Sequence, residues 1–407
     1  MLVIHHDGAM DPPRLAGMID RLLDECPWPA ARLRRPFPWG RLRWVAGPRG
    51  ALTPPPVRHR RATTPGDLHR LLEDDLNASI DPRIEPPLRF TVIDPGPAAE
   101  ATGGVLAMTW FHPLMDPRGA QNLLVHLARL DPFDGERRWP DPLPTFVAPA
   151  ARRPFRERAR LARRSLDYMR TLAPSPPVSP GHALVSPGPI HFHHACFVDG
   201  GGADSRARAH REISWRLAVV GRAMAELWTR RGLPDVPFLL PISVDMRPKG
   251  EPGATFGNML AFHFARFAPS ASADVPLLAA SLRRQMADAV RDGQIEANAA
   301  AMEFLQYRPL SSMMRALPWT SSGEIFSFNC ADVTDFPRAL DHFADRRVLN
   351  AYHVPCVLPR PGIGVFFNRC AGRHNVVVSW VEGAATADEA AGIIEIVGRE
   401  MAWIPAA

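Results

Sequence analysis

The sequence predicts an α/β protein, or its α+β variant, in which helices cover sheets in each of two halves. Three observations predict it. Strand-length apolar runs bounded by Pro, Gly and Asn mix with amphipathic helical segments from end to end. Two Pro-rich stretches, DPFDGERRWPDPLPTFVAPAA at 131–151 and APSPPVSPGHALVSPGP at 173–189, interrupt the pattern near the middle. The chain has 407 residues, 46% hydrophobic and 22% charged, enough for more than one core.

In the first half, Met10–Cys26 has helical spacing, with Pro12 and Pro13 at its start. Thr64–Leu76 follows, Thr64 fitting an N-cap and Pro65 the first helical position, with Leu68, Leu71 and Leu72 on one face. PPLRFTVI (86–93) is a strand bounded by prolines, and VLAMTWF (105–111) a buried strand. Residues 117–130 form a helix that turns Leu123, Leu124, Leu127 and Leu130 inward. Between the Pro-rich stretches, segment 152–171 sets Phe155, Leu161, Leu166 and Met169 near one helical face with Arg around them. This reads as a basic helix crossing between halves, which places the boundary near residue 175: 1–175 and 176–407. No fixed-period repeat is present, so the chain is not a solenoid.

The second half opens with the strand IHFHHACFV (190–198). A helix over Trp215–Arg231 stops before Gly232 and Pro234. Strands follow at 236–244 and 258–267, one helix over 275–300, then strands at 325–329, 348–354, 364–369 and 375–381. The last helix starts at Thr386, where Glu389 completes a capping box, and runs to about Trp403.

Composition narrows the setting. No apolar run reaches the roughly 18 residues of a membrane span. MLVIHHDGAMDPPR has no apolar signal region, so the sequence reads as cytoplasmic. Cys26, Cys196, Cys330, Cys356 and Cys370 are odd in number and scattered, which suits reduced core thiols rather than a disulfide framework or a thiolate zinc site. The formal charge is +6, with 48 Lys and Arg of which only Lys249 is lysine. A positive surface suits nucleic acid, an anionic membrane, the phosphates of coenzyme A or an acidic carrier protein. Basic residues are spread widely and no recognition motif accompanies them, which argues against nucleic acid. GxxxxGK[ST], GxSxG, HExxH and GxGxxG are absent.

Histidine falls beside Asp or Asp-Gly in three places. His5-His6-Asp7-Gly8 reads as a turn or strand end, since no strand precedes it. His191, His193 and His194 lie on a strand that ends at Asp199-Gly200; they read as solvent-facing or as a weak metal cluster, with no carboxylate or thiolate pair nearby. His112 is different. It follows a buried strand, and four residues later Asp116-Pro117 fits the N-cap and first position of a helix. A rigid strand and a rigid helix would hold the loop, as a catalytic base requires; on spacing alone, His112 in a turn with Asp116 as cap remains the alternative.

FHPLMD followed by a helix resembles the HHxxxDG motif of the condensation-domain and CoA-dependent acyltransferase superfamily, which includes chloramphenicol acetyltransferase and wax ester synthase/diacylglycerol acyltransferases. The flanks resemble it in order: LNASIDPRIEPPLRFTVI (76–93) its PLD…PPLRF segment, PISVDMRP (241–248) its PVxxR strand, FGNML (256–260) its Gly-Asn strand, SFN (327–329) an SN strand start, and SWVEG (379–383) its SYDG ending. The resemblance covers most of the chain. Phe111 stands where the first motif His usually is, and Pro117 where Gly usually is. Plant-type members also keep only HxxxD, but their DFGWG signature is absent here.

The resemblance implies two chloramphenicol-acetyltransferase-like halves, each a mixed sheet flanked by helices, around a central tunnel. It implies acyl transfer from acyl-CoA or an acyl carrier protein to a hydroxyl or amine, with no tightly bound cofactor and no metal. His112 would be the general base. Asp116 would support the site, paired with Arg247 of SVDMRP. Asn258, Ser327, Asn329 and Phe111 are candidates for oxyanion or substrate contact. The helix at 152–171 would dock an acidic carrier protein or an anionic membrane surface, or be a plain solvated crossover. The alternative function is a non-catalytic binding or scaffold protein that keeps the fold, motivated by Phe111 and Pro117.

Overall fold

The structure, a computed structural model, describes residues 1–38, 40–96, 103–131, 153–172, 188–200, 213–247, 256–307 and 326–406. In chain order the strands are β1 (Leu2–His6), β2 (Arg32–Arg34), β3 (Arg43–Val45), β4 (Val57–Ala62), β5 (Leu88–Pro95), β6 (Gly104–Trp110), β7 (Ile190–Asp199), β8 (Phe238–Asp245), β9 (Leu260–Phe267), β10 (Asn329–Asp335), β11 (His342–Phe343), β12 (Arg346–His353), β13 (Ile363–Cys370), β14 (Arg373–Val381) and β15 (Trp403–Pro405). The α-helices are α1 (Pro12–Glu25), α2 (Pro65–Asn77), α3 (Pro117–Arg129), α4 (Phe155–Leu172), α5 (Ile213–Arg230), α6 (Val275–Arg291), α7 (Gln294–Leu305) and α8 (Ala387–Glu400).

Two mixed sheets dominate. The first has six strands in the order β11-β12-β1-β6-β5-β4, and the second has five in the order β10-β13-β14-β7-β15. Each has one parallel edge pair, β4 with β5 and β10 with β13, and is otherwise antiparallel. Strand alternation gives each sheet two apolar faces. Leu2, Ile4, Leu106 and Met108 of the first sheet pack under α1 and α3 through Leu15, Ile19, Leu123 and Leu127. The opposite face, with Val3, Ala107 and Tyr352, meets Phe192, Phe366 and Val377 of the second sheet. Val365, Phe367, Val376 and Val378 then pack beneath α5 and α8. Helices therefore lie outside and a shared core lies between the sheets.

The expected boundary near residue 175 lies outside the described residues. The sheets interlock across it: β11 and β12, from late in the chain, complete the first sheet beside β1. Three element readings change. His5-His6-Asp7-Gly8, expected as a turn or strand end with no strand before it, does hold a strand end, but that of a full strand, LVIHH, which pairs with both β12 and β6 and whose apolar alternation two histidines hide. The single helix expected over 275–300 is two, α6 and α7, broken where Gly293 takes φ +60. The strand expected at 325–329 starts only at Asn329; Ser327 instead exchanges bonds with Leu239 at the start of β8. Capping at Thr64 and Thr386 follows the sequence, both through reciprocal capping boxes. Cys330 and Cys370 are buried, Cys26 and Cys196 half-buried and Cys356 exposed, all free thiols.

Candidate active site

The buried strand β6 delivers its last residue, Trp110, to a tight turn. His112–Leu114 form one 3-10 turn, Met115 is extended, and Asp116 caps α3 with Pro117 at the first helical position. Phe111 N–H donates to the Pro87 carbonyl at 2.8 Å, so the turn is tied to the strand beside it. The Phe111 ring meets Trp44 of β3 edge-on at 6.3 Å.

Asp116 is the fixed point. Its carboxylate is fully buried and accepts from four directions. Gly119 N–H donates to Oδ1 at 2.8 Å, the helix cap, and Met259 N–H donates to Oδ2 at 2.7 Å. Arg247, just beyond β8, donates through both terminal nitrogens at 3.0 Å. Arg247 also donates to the Gly257 carbonyl at 3.0 Å and to Asp245 Oδ1 at 3.0 Å. The carboxylate thus has its acceptor positions filled, which a buried charge requires. This cluster joins the start of α3 to the β8–β9 hairpin of the other half. Sequence reading pointed to Asp116 and Arg247; it missed the backbone groups of Gly119, Gly257 and Met259, for which the FGNML segment was the only signal.

His112 combines two properties. Solvent reaches its ring, yet protein surrounds it deeply enough that burial lowers its pKa from the ordinary histidine value. The Met1 amino group pushes the same way, and Asp116 opposes both. Its own backbone carbonyl, like Asp116, works against that lowering.

The remaining candidates are dispersed in role. Asn258 is exposed at the hairpin next to Gly257, its Oδ1 accepting from Leu260 N–H at 3.4 Å. Ser327 is fully buried and its Oγ accepts from Leu239 N–H at 3.0 Å, a structural duty. Asn329 is half-buried at the start of β10, opposite Gly364. His191 pairs with Glu73 at 3.1 Å and His194 with Asn375 at 2.8 Å. Among the described residues no group of three or more His, Cys, Asp or Glu is arranged to hold a metal ion. A shallow cavity of about 600 Å³ opens elsewhere, lined by Arg222, Trp228 and Asp235 among others, and shares no residue with this constellation.

No protein-family model matches the sequence, and no curated protein matches it. Solved structures do match in fold. The first condensation domain of the CDA synthetase aligns with a TM-score of 0.68 at 13% identity, covering 98% of this chain and 89% of that one. A trichothecene 15-O-acetyltransferase, TRI3 from Fusarium sporotrichioides, aligns at 0.65 and 10% identity over 98% and 90%. The epimerization domain from the third module of tyrocidine synthetase B aligns at 0.60 and 10% identity over 99% and 91%. The chain therefore has the two-lobed, chloramphenicol-acetyltransferase-like fold of these condensation, epimerization and acetyltransferase structures.

Proposed function

We propose that this protein is an acyltransferase that moves an acyl group from a thioester, on coenzyme A or a carrier protein, to a hydroxyl or amine, with His112 as general base. The observation that carries this is the setting of His112: water-accessible, on the turn between β6 and α3, and four residues before the buried Asp116 that pairs with Arg247. Burial keeps the ring neutral near pH 7, the state a base needs.

In the reaction, the unprotonated ring nitrogen of His112 takes the proton of the acceptor O–H or N–H as that atom attacks the thioester carbonyl carbon. The new C–O or C–N bond forms, the carbonyl oxygen carries the charge, and the C–S bond then breaks. The imidazolium returns the proton to the leaving thiolate, so atoms and charge balance. Asp116 touches none of these atoms; with Arg247 it fixes the frame. Asn258, exposed beside the cluster, is the candidate donor to the oxyanion, and Ser327 is the weakest because it is fully buried against the start of β8. Six Arg against Glu157 and Asp167 make α4 a surface for an acidic carrier protein.

The experiment is thiol release from a panel of acyl-CoA and carrier-bound donors, with alcohols and amines as acceptors, comparing wild type with His112→Ala. Acceptor-dependent release that the substitution abolishes in a folded protein supports the reading. Release that survives in His112→Ala overturns the base, and silence across every donor class points to a non-catalytic binding protein.

A further inference from the structure

We infer that Trp110 is a positioning residue for His112, and that a buried chain of side chains running from the first turn of α3 through Gln121 and His353 holds its ring in place. The proposal concerns how His112 is set.

The turn that carries His112 has few restraints of its own. The turn closes through Leu114 N–H to the Phe111 carbonyl at 2.8 Å. Among the described residues a single side chain hydrogen-bonds the backbone of 111–115. It is Trp110, whose indole Nε1–H donates to the Met115 carbonyl at 2.8 Å. The bond spans the turn, from the residue two before His112 to the residue three after it. Both ends are buried, so the bond does not compete with water.

The indole is itself held. His353, at the end of β12, meets it edge-on at 6.2 Å with an interplanar angle of 88°. Gln121 Nε2 lies 3.3 Å from His353 Nε2, and Arg118 Nη1 donates to Gln121 Oε1 at 3.3 Å. Arg118 thereby fixes the amide: its oxygen accepts from Arg118 and its nitrogen donates to His353. His353 Nε2 then accepts and its ring is neutral, as its burial requires, with Nδ1 buried and unpartnered among the described residues. A helix, a strand from late in the chain and the β6 terminus thus converge on one indole. An indole offers a donor at the right reach together with a flat ring for His353.

Trp110→Phe removes the donor and keeps a ring. The measurement is the NMR titration of the His112 ring, assigned by its loss in His112→Ala, beside a thermal melt. A residue that only adds stability would lower the melt and leave the titration midpoint unmoved. A positioning residue moves the midpoint upward toward the ordinary histidine value, because a looser turn lets water rehydrate the ring. The turnover number should also fall, by about 10- to 100-fold, with KM little changed. An unmoved midpoint in a folded Trp110→Phe protein overturns the proposal. Should that variant not fold, Gln121→Met cuts the chain one link further out: a displaced midpoint supports the proposal and an unmoved one overturns it. The turnover readout rests on His112 acting as base, whereas the titration does not. If His112→Ala retains activity, the proposed function fails while the titration still decides the positioning.

Discussion

Asp116 and Arg247, 131 residues apart in sequence, meet through two hydrogen bonds of 3.0 Å with the carboxylate fully buried. Removing one partner strands the other. Arg247→Ala is expected to lower unfolding free energy by about 3–5 kcal/mol, since an unpaired buried carboxylate remains. Arg247→Lys keeps the charge but cannot reproduce the planar fork, so it should recover only part of the loss. Urea denaturation decides: a cost below about 1 kcal/mol for Arg247→Ala would show that the pair does not hold the halves together.

Gly119 tests the same joint from the other side. A Cβ placed there would lie 2.8 Å from the Gly257 carbonyl and 3.3 Å from Arg247 Nη2. Gly119→Ala gains helix propensity on an ordinary helix, yet here it forces the hairpin away from α3. The expected result is destabilisation by about 1–3 kcal/mol in spite of propensity. A more stable Gly119→Ala protein in the same denaturation assay would contradict the close approach.

Burial lowers the pKa of His112, so the acid limb of the rate should lie below the ordinary histidine range. The ring is the active base when neutral. As pH falls, the rate holds through the range in which an ordinary histidine protonates and drops only as His112 itself does. A pH profile of kcat/KM checks this, and an acid limb at or above the ordinary value would contradict the desolvated site.

His263 on β9 makes acid stability a separate matter. It is 4% exposed, neither ring nitrogen has a partner among the described residues, and burial lowers its pKa to about 4. The unfolded chain binds a proton more readily than the folded one, so its contribution is fully present above about pH 6.5 and is lost as pH falls through about 4. The loss amounts to up to about 3 kcal/mol. His5 and His194, also lowered to about 4 by burial, act in the same direction. His263→Leu should flatten part of the acid limb of the melting temperature; an unchanged slope would place the acid sensitivity elsewhere.

Much of this was legible in the sequence because local chemistry decided it. Thr64-Pro65 and Thr386…Glu389 announce helix starts that need no tertiary help. Asp116-Pro117 does the same beside a continuous apolar strand, which is why the His112 turn could be found. What was hidden depends on pairing at a distance. LVIHH becomes a strand only between β12 and β6, and VRHRRA (57–62) is an edge strand whose arginines mask its pattern. The Gly257 carbonyl and Met259 N–H have no side-chain signature, so their part in the Asp116 cluster is visible only in the fold. Trp110 read as one more apolar residue of a buried strand.

The basic helix α4 separates the two donor classes. Its inner side packs on α7 and β9: Arg158 pairs with Glu303 at 2.9 Å, and Tyr168 donates to the Phe264 carbonyl at 3.1 Å. Arg156 and Arg160 are exposed on the other side, one helical turn apart, and among the described residues no ion pair is seen to either. A carrier protein with an acidic surface would be steered to such a ridge, whereas acyl-CoA needs only its own phosphates held. The double charge reversal Arg156→Glu, Arg160→Glu is expected to raise KM for a carrier-bound donor by roughly tenfold or more at low salt. It should leave acyl-CoA turnover and the melting temperature nearly unchanged, since neither side chain touches the core. Raising ionic strength should shrink the difference, because exposed charges are screened beyond about 10 Å at 0.1 M salt. An equal effect on both donors would mean that the reversal disturbs the fold or the site, and no effect on either would make α4 a solvated crossover.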